Sequence, residues 1–222
     1  MSRQDSESDE GIIKFQLRFT AAHPLPFDDL REVNAWRRVL YLTQLIGRQP
    51  DRYGGFGYGN ISQRLGPFDA PVHQRRFVIS GTQTGGLAHL TEEHYAIVLE
   101  CYPERNLIVA EGPIRPSSES MTHATLYALD DDLRCVIHAH APHIWRGAQA
   151  LDIPMTDEGV PYGSPEMAEE VRRLFQETSV RDRLILAMGG HQDGVVSFGH
   201  TVEEAGSVMI RSLARAFQLE LP

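Results

Sequence analysis

Two cysteines in 222 residues, Cys101 and Cys135, are too few for a disulfide framework. They fit a reducing compartment, and the cytoplasm is the expected location. No apolar run reaches the roughly 18 residues a membrane-spanning helix needs, so no membrane segment is expected. The first ten residues, Met1 to Glu10, lack the basic and apolar regions of a secretory signal and read as a mobile acidic tail. Basic residues are in deficit: 21 Lys and Arg against 30 Asp and Glu give a net charge of −9. That balance argues against a nucleic-acid partner, because phosphate contacts need clustered cations. A small anionic metabolite stays open, since it responds to local charge.

Phosphate-loop signatures are missing as well. The segment Tyr53-Gly54-Gly55-Phe56-Gly57-Tyr58-Gly59 has neither the Gly-Lys-Ser/Thr ending of a Walker loop nor a following helix of the dinucleotide type. It reads as a glycine-rich turn into Ile61-Ser62. No internal repeat and no Pro/Gly/Ser linker divides the chain, so residues 11–222 are expected to form a single domain. A chain of this length buries about 70% of its unfolded surface. Charged residues at 23% and hydrophobic residues at 41% are ordinary globular values.

What the sequence does contain is His138-Ala139-His140 at the end of the apolar run Leu133, Cys135, Val136, Ile137. Such a run predicts a short buried strand, whose side-chain period of two sets both imidazoles on one face and Cys135 on the other. Two imidazoles on one side of a rigid element make half of a metal site. Upstream, Arg115-Pro116-Ser117-Ser118-Glu119 predicts a loop entering a helix, with Ser117 or Ser118 as N-cap and Glu119 in the first turn. His123, four residues on, shares that face; it can orient Glu119 or serve as a satisfied helix histidine. Downstream, Leu184 to Met188 ends in Gly189-Gly190-His191, where the glycines permit close backbone approach and His191 offers a third nitrogen ligand.

The remaining pattern is mixed. Ile12 to Phe19 alternates like an added strand. Asp28 or Asp29 can cap a helix from about Leu30 to Ile46, with Val33, Trp36, Val39, Leu40 and Leu45 as its apolar stripe. Phe77-Val78-Ile79 predicts a strand delivering Ser80-Gly81, and Leu107 to Ala110 predicts another. Thr91 to Leu99 carries a helix-start signal, then a mixed apolar stretch. Glu166 to Glu177 and Val202 to Gln218 are amphipathic helices. Asp130-Asp131-Asp132 reads as a solvated turn rather than a calcium loop. His143 can line a pocket mouth, whereas His23, His73, His89, His94 and His200 read as surface or structural histidines.

In this order, Gly59-Asn60-Ile61-Ser62, Ile79-Ser80-Gly81, Pro116-Ser117-Ser118-Glu119, His138-Ala139-His140, His191 and Gly199-His200-Thr201-Val202-Glu203-Glu204-Ala205 resemble the class II aldolase/adducin family. The resemblance covers roughly residues 30 to 220. It implies a three-layer α/β/α sandwich with a largely antiparallel central sheet, and a homotetramer with the site at a subunit boundary. It further implies a divalent metal on His138, His140 and His191. Zinc comes first, with Ni2+, Mn2+, Co2+ or Fe2+ as alternatives. Glu119 is implied as acid/base that can also touch the metal. Gly59, Asn60, Ser80, Gly81, Ser117 and Ser118 match the family's anion cradle.

The implied activity is a carbon–carbon lyase of aldolase type, acting on a small hydroxy-carbonyl compound or sugar phosphate through a metal-stabilised enediolate. An epimerase, decarboxylase or dehydratase would share that intermediate. A non-catalytic adducin-like interaction module is the alternative of another class. Three departures stand out. Gly57-Tyr58-Gly59-Asn60 replaces the common Thr-Ser-Gly-Asn. Gln192 and Asp193 separate His191 from Gly194. The segment Leu151 to Tyr162 is short where sugar-phosphate aldolases carry a catalytic tyrosine, and Tyr162 is the nearest counterpart.

Overall fold

The computed structural model describes residues 12–221. The tail expected at Met1 to Glu10 lies outside the described residues. In chain order the strands are β1 (Gln16–Ala21), β2 (Gly47–Arg48), β3 (Gly57–Tyr58), β4 (Asn60–Arg64), β5 (Phe77–Ser80), β6 (Tyr95–Tyr102), β7 (Leu107–Gly112), β8 (Cys135–His140), β9 (Ile185–Ala187) and β10 (Gly194–Gly199). The helices are α1 (Phe27–Leu42), α2 (Ser120–Leu129), α3 (Pro142–Arg146), α4 (Pro165–Glu177), α5 (Val180–Arg183) and α6 (Val202–Glu220).

Eight strands form one sheet in the order β1-β7-β6-β5-β4-β8-β10-β9. Among the described residues β1 and β7 run parallel, and every other pairing in that sheet is antiparallel. Helices cover both faces. Leu30, Val33 and Leu40 of α1, Ile144 of α3 and Val208 and Met209 of α6 pack with Ile61, Cys135, Ile137 and Ala139. Met121 and Leu126 of α2, Met167, Val171 and Leu174 of α4 and Val180 of α5 pack with Ile79, Val136, Val196 and Phe198. The α/β/α sandwich with a mostly antiparallel sheet is therefore present.

Strand β8 shows how the two cores arise. Its residues alternate between them, Cys135, Ile137 and Ala139 to one side and Val136 to the other. That is the period of two expected for a strand buried on both faces.

Several boundaries differ from the sequence expectation. The first helix spans Phe27–Leu42 after Pro26, so Asp28 and Asp29 lie in its first turn instead of capping it. Leu45 and Ile46 have left the helix, their N–H groups both donating to Leu40 O at 2.9 and 3.2 Å. This tight reversal buries both side chains in the core while ending the α-helical ladder. The start signal at Thr91 yields one 3₁₀ turn, Glu92–His94, which Thr91 and His94 close by reciprocal capping bonds. Strand β6 follows at once, because Tyr95-Ala96-Ile97-Val98 suits a pleated surface and pairs with β5. The first strand is shifted to Gln16–Ala21, and α2 begins at Ser120 with Glu119 at its N-cap position.

Candidate metal centre

Strand β8 lies between β4 and β10, so its C-terminal end is flanked by Asn60 on one side and by the turn before Gly194 on the other. His138 and His140 project together from this end, at 0% and 2% exposure. The turn from β9 to β10 brings the third imidazole. Met188 N bonds Gly194 O at 2.8 Å and Gly194 N bonds His191 O at 2.9 Å, closing a compact loop. Gly189 and Gly190 are required there: a Cβ on them would stand 2.3 Å from Thr156 O and 1.9 Å from Val160 O.

The three rings meet. Centroids are 5.1 Å apart for His138 and His140, 5.0 Å for His138 and His191, and 4.7 Å for His140 and His191. One ligand nitrogen from each ring can be chosen so that all lie within 4.8 Å of one another. Burial, with neighbouring imidazoles, holds His138 and His140 well below the usual histidine range, so both stay neutral and keep a lone pair. At least one ring nitrogen of His138 has no hydrogen-bond partner among the described residues. A buried polar group without a partner is costly, and neutral imidazoles in convergence are what a divalent cation needs. The residues fit such an ion.

Glu119 reaches the same point from α2. Its Oε1 lies 3.6 Å from His191 Nδ1, and its Oε2 accepts from Thr122 Oγ1 at 3.1 Å. The carboxylate is nearly inaccessible to solvent. Tyr162, also buried, stacks on His191 with ring centroids 4.3 Å apart and planes at 24°. His123 is fully buried; its Nδ1 bonds Ser62 Oγ at 2.7 Å, while Nε2 has no hydrogen-bond partner among the described residues.

The expected anion elements also converge. Gly59 has φ +76°, and a Cβ there would lie 3.1 Å from His138 O. Asn60 pairs with His138 across the sheet and donates from Nδ2 to Ser117 Oγ at 2.9 Å. Ser80 Oγ accepts from Ile61 N at 3.2 Å, and Gly81 bridges to Pro116. Ser118 is buried in the same loop. The Ser80 and Ser117 hydroxyls thus already bind protein groups.

Sequence reasoning missed one group. Tyr53 and Arg52, in the glycine-rich turn, donate to Asp193 Oδ2 at 2.7 and 2.6 Å. Tyr53 sets its ring edge against His140, centroids 4.4 Å apart. Burial and the bond to Asp193 push its phenol upward, so it stays protonated. The only local signal was the Gln192-Asp193 spacer. Tyr58 is buried and tilts over His140 at 5.1 Å. His143 does line a pocket of about 290 Å3 with His140, Arg52 and Phe217.

A profile of the family described as "Class II Aldolase and Adducin N-terminal domain" matches residues 48–221. The chain belongs to that family. Among solved structures, this class II aldolase-family chain is similar to L-fuculose-1-phosphate aldolase from Thermus thermophilus. That match has 20% identity, covers 86% of this chain and 91% of that one, and has a TM-score of 0.59. It is also similar to YgbL of Escherichia coli, described as a putative aldolase/epimerase/decarboxylase, at 15% identity, 87% and 88% coverage and TM-score 0.62. A sugar-phosphate aldolase from Thermotoga maritima matches at 17% identity, 88% and 97% coverage and TM-score 0.60. These likenesses concern the fold. No match was found among curated protein sequences.

Proposed function

We propose that this class II aldolase-family protein is a metal-dependent carbon–carbon lyase of aldolase type, acting on a small hydroxy-carbonyl compound or a sugar phosphate. The observation that carries the reading is the buried convergence of His138, His140 and His191, with the Glu119 carboxylate 3.6 Å from His191. His138, His140 and His191 would hold the ion, with Glu119 beside them. Zinc is the first choice for three imidazole donors, with Ni2+, Mn2+, Co2+ and Fe2+ as alternatives. When bound, the metal supplies Lewis-acid polarisation of adjacent hydroxyl and carbonyl oxygens.

The chain's own groups move the protons. Glu119 accepts the proton of the substrate hydroxyl as the carbon–carbon bond opens, and the electron pair passes to the carbonyl-bearing fragment. That fragment's carbon then takes a proton from Glu119. Tyr162, which stacks on His191, is the second candidate for proton transfer. Gly59, Asn60, Ser80, Gly81, Ser117 and Ser118 form the candidate cradle for a substrate anion. The Ser80 and Ser117 oxygens accept from Ile61 N and Asn60 Nδ2. This leaves their O–H groups to donate to a substrate anion beside backbone N–H groups, while the Thr-Ser hydroxyls common before Gly59 are absent.

Residues 11–222 would act as one domain in a homotetramer. A cytoplasmic location accords with two buried free thiols. No helix among the described residues is long and apolar enough to cross a membrane.

Purified protein, loaded with Zn2+ or Mn2+, would be assayed on ketose phosphates and hydroxy-keto acids. We expect cleavage of at least one, with Glu119→Gln lowering kcat by about 10²–10⁴-fold while metal content is kept. Epimerised, decarboxylated or dehydrated products would select a sibling reaction. A protein that takes up no metal would leave only an adducin-like interaction module.

A further inference from the structure

The Gln192-Asp193 step after His191 takes no part in the proton chemistry above. Asp193 is 2% exposed and adopts a left-handed backbone, φ 64°. Asp and Asn tolerate that conformation better than other side-chain-bearing residues. Its carbonyl accepts from Ala141 N at 2.8 Å, one residue beyond His140. Its carboxylate oxygen Oδ2 receives both the Tyr53 hydroxyl and the Arg52 guanidinium. Tyr53 then bears edge-on against His140 and Tyr58. One aspartate therefore joins three segments: the turn carrying His191, the end of the strand carrying His140, and the glycine-rich turn that walls the centre.

The charge matters as much as the geometry. Arg52 is two-thirds buried, at 33% side-chain exposure, and lines the same pocket as His140. Left unneutralised, a guanidinium there would repel a divalent cation held by the neighbouring imidazoles. A buried carboxylate bonded to that guanidinium removes the repulsion. Changing the carboxylate to an amide keeps the shape and the turn but leaves the cation without its counter-charge.

We propose that Asp193 is a positioning residue for the metal centre, acting through Tyr53 and Arg52: it holds His140 and His191 in ligating register and neutralises Arg52, without itself being a ligand. The inference rests on the metal-centre reading above. The test uses full-length protein stripped by chelation and titrated with Zn2+ against a chromophoric chelator, then with Co2+ to record its visible absorption bands. Wild type is expected to take one ion per chain. Asp193→Asn is expected to bind about 10–100-fold more weakly, the usual range for loss of an outer partner of a ligand set. Its cobalt bands should shift, which a general loss of stability would not cause. If Asp193→Asn fails to fold, Tyr53→Phe, which deletes a single hydroxyl, carries the test with the same expected direction. Affinity within about twofold of wild type with an unchanged cobalt spectrum would overturn the proposal. Failure of the wild type itself to bind metal would remove the metal centre instead, so the two outcomes separate.

Discussion

His123 illustrates what burial does to one side chain. It is wholly inaccessible, and desolvation lowers it from the ordinary 6.5 to about 3. In the fold it stays neutral and bonds Ser62, whose hydroxyl also meets Tyr127 at 2.8 Å. The unfolded chain protonates this histidine near pH 6.5, so it binds more protons than the fold below that value. Its contribution is complete above pH 6.5 and is lost progressively as pH falls toward 3. Between pH 7 and pH 5 the expected loss is roughly 2 kcal/mol from this residue. Urea denaturation of metal-free wild type and His123→Gln at both pH values checks this. The drop on acidification should be smaller in the variant by about that amount, and equal drops would refute it.

At the scale of elements, the decisive piece is the turn between β9 and β10. Gly190 packs so tightly on Val160 that a methyl group would stand 1.9 Å from its carbonyl oxygen. That oxygen belongs to the chain backbone and cannot swing away like a side-chain tip. Gly190→Ala must therefore displace the turn and His191 with it. Overpacking of this kind costs about 1–3 kcal/mol, and loss of the third ligand should accompany it. A thermal melt and a metal titration of the variant would show both effects; unchanged metal affinity would mean that the turn absorbs the methyl without moving His191.

Much at this scale was readable in advance. The run into His138 is a strand, Leu184 to Met188 contains one, and the helices beginning near Pro165 and Val202 have side-chain caps from Ser164 and Thr201. The Thr91 signal misled because a cap motif marks a helical start without setting its length. Strand pairing with β5 took the residues that followed. The short helix α3 went unseen, since five residues carry too little periodicity to register.

For the whole molecule, the strand order does the assembling. Residues at positions 60, 119, 138 and 191 are far apart in sequence, yet β8 is bordered by β4 and β10, and α2 covers that face. A ligand that binds only this assembled arrangement must stabilise the fold. A divalent ion present at about 100 times its dissociation constant adds roughly 2.7 kcal/mol. For a chain of this size that corresponds to a rise in Tm of about 5–10 °C. Thermal melts with Zn2+ and with chelator should differ by this margin. Identical melting with and without metal would count against a site formed by the folded state.

The sequence by itself determined the local facts. His138 and His140 share a face because a strand alternates, and glycines at positions 189 and 190 permit an approach no other residue allows. An intact set of donors was present in family order. Only the tertiary structure decided that His191 joins that pair and that Glu119 stands beside it. It alone showed Asp193 fastening the turn at Tyr53 to the end of β8. Periodicity is a property of neighbouring residues and is written in the chain. The meeting of distant segments depends on strand pairing and burial across the sheet, and no short window of sequence contains that information.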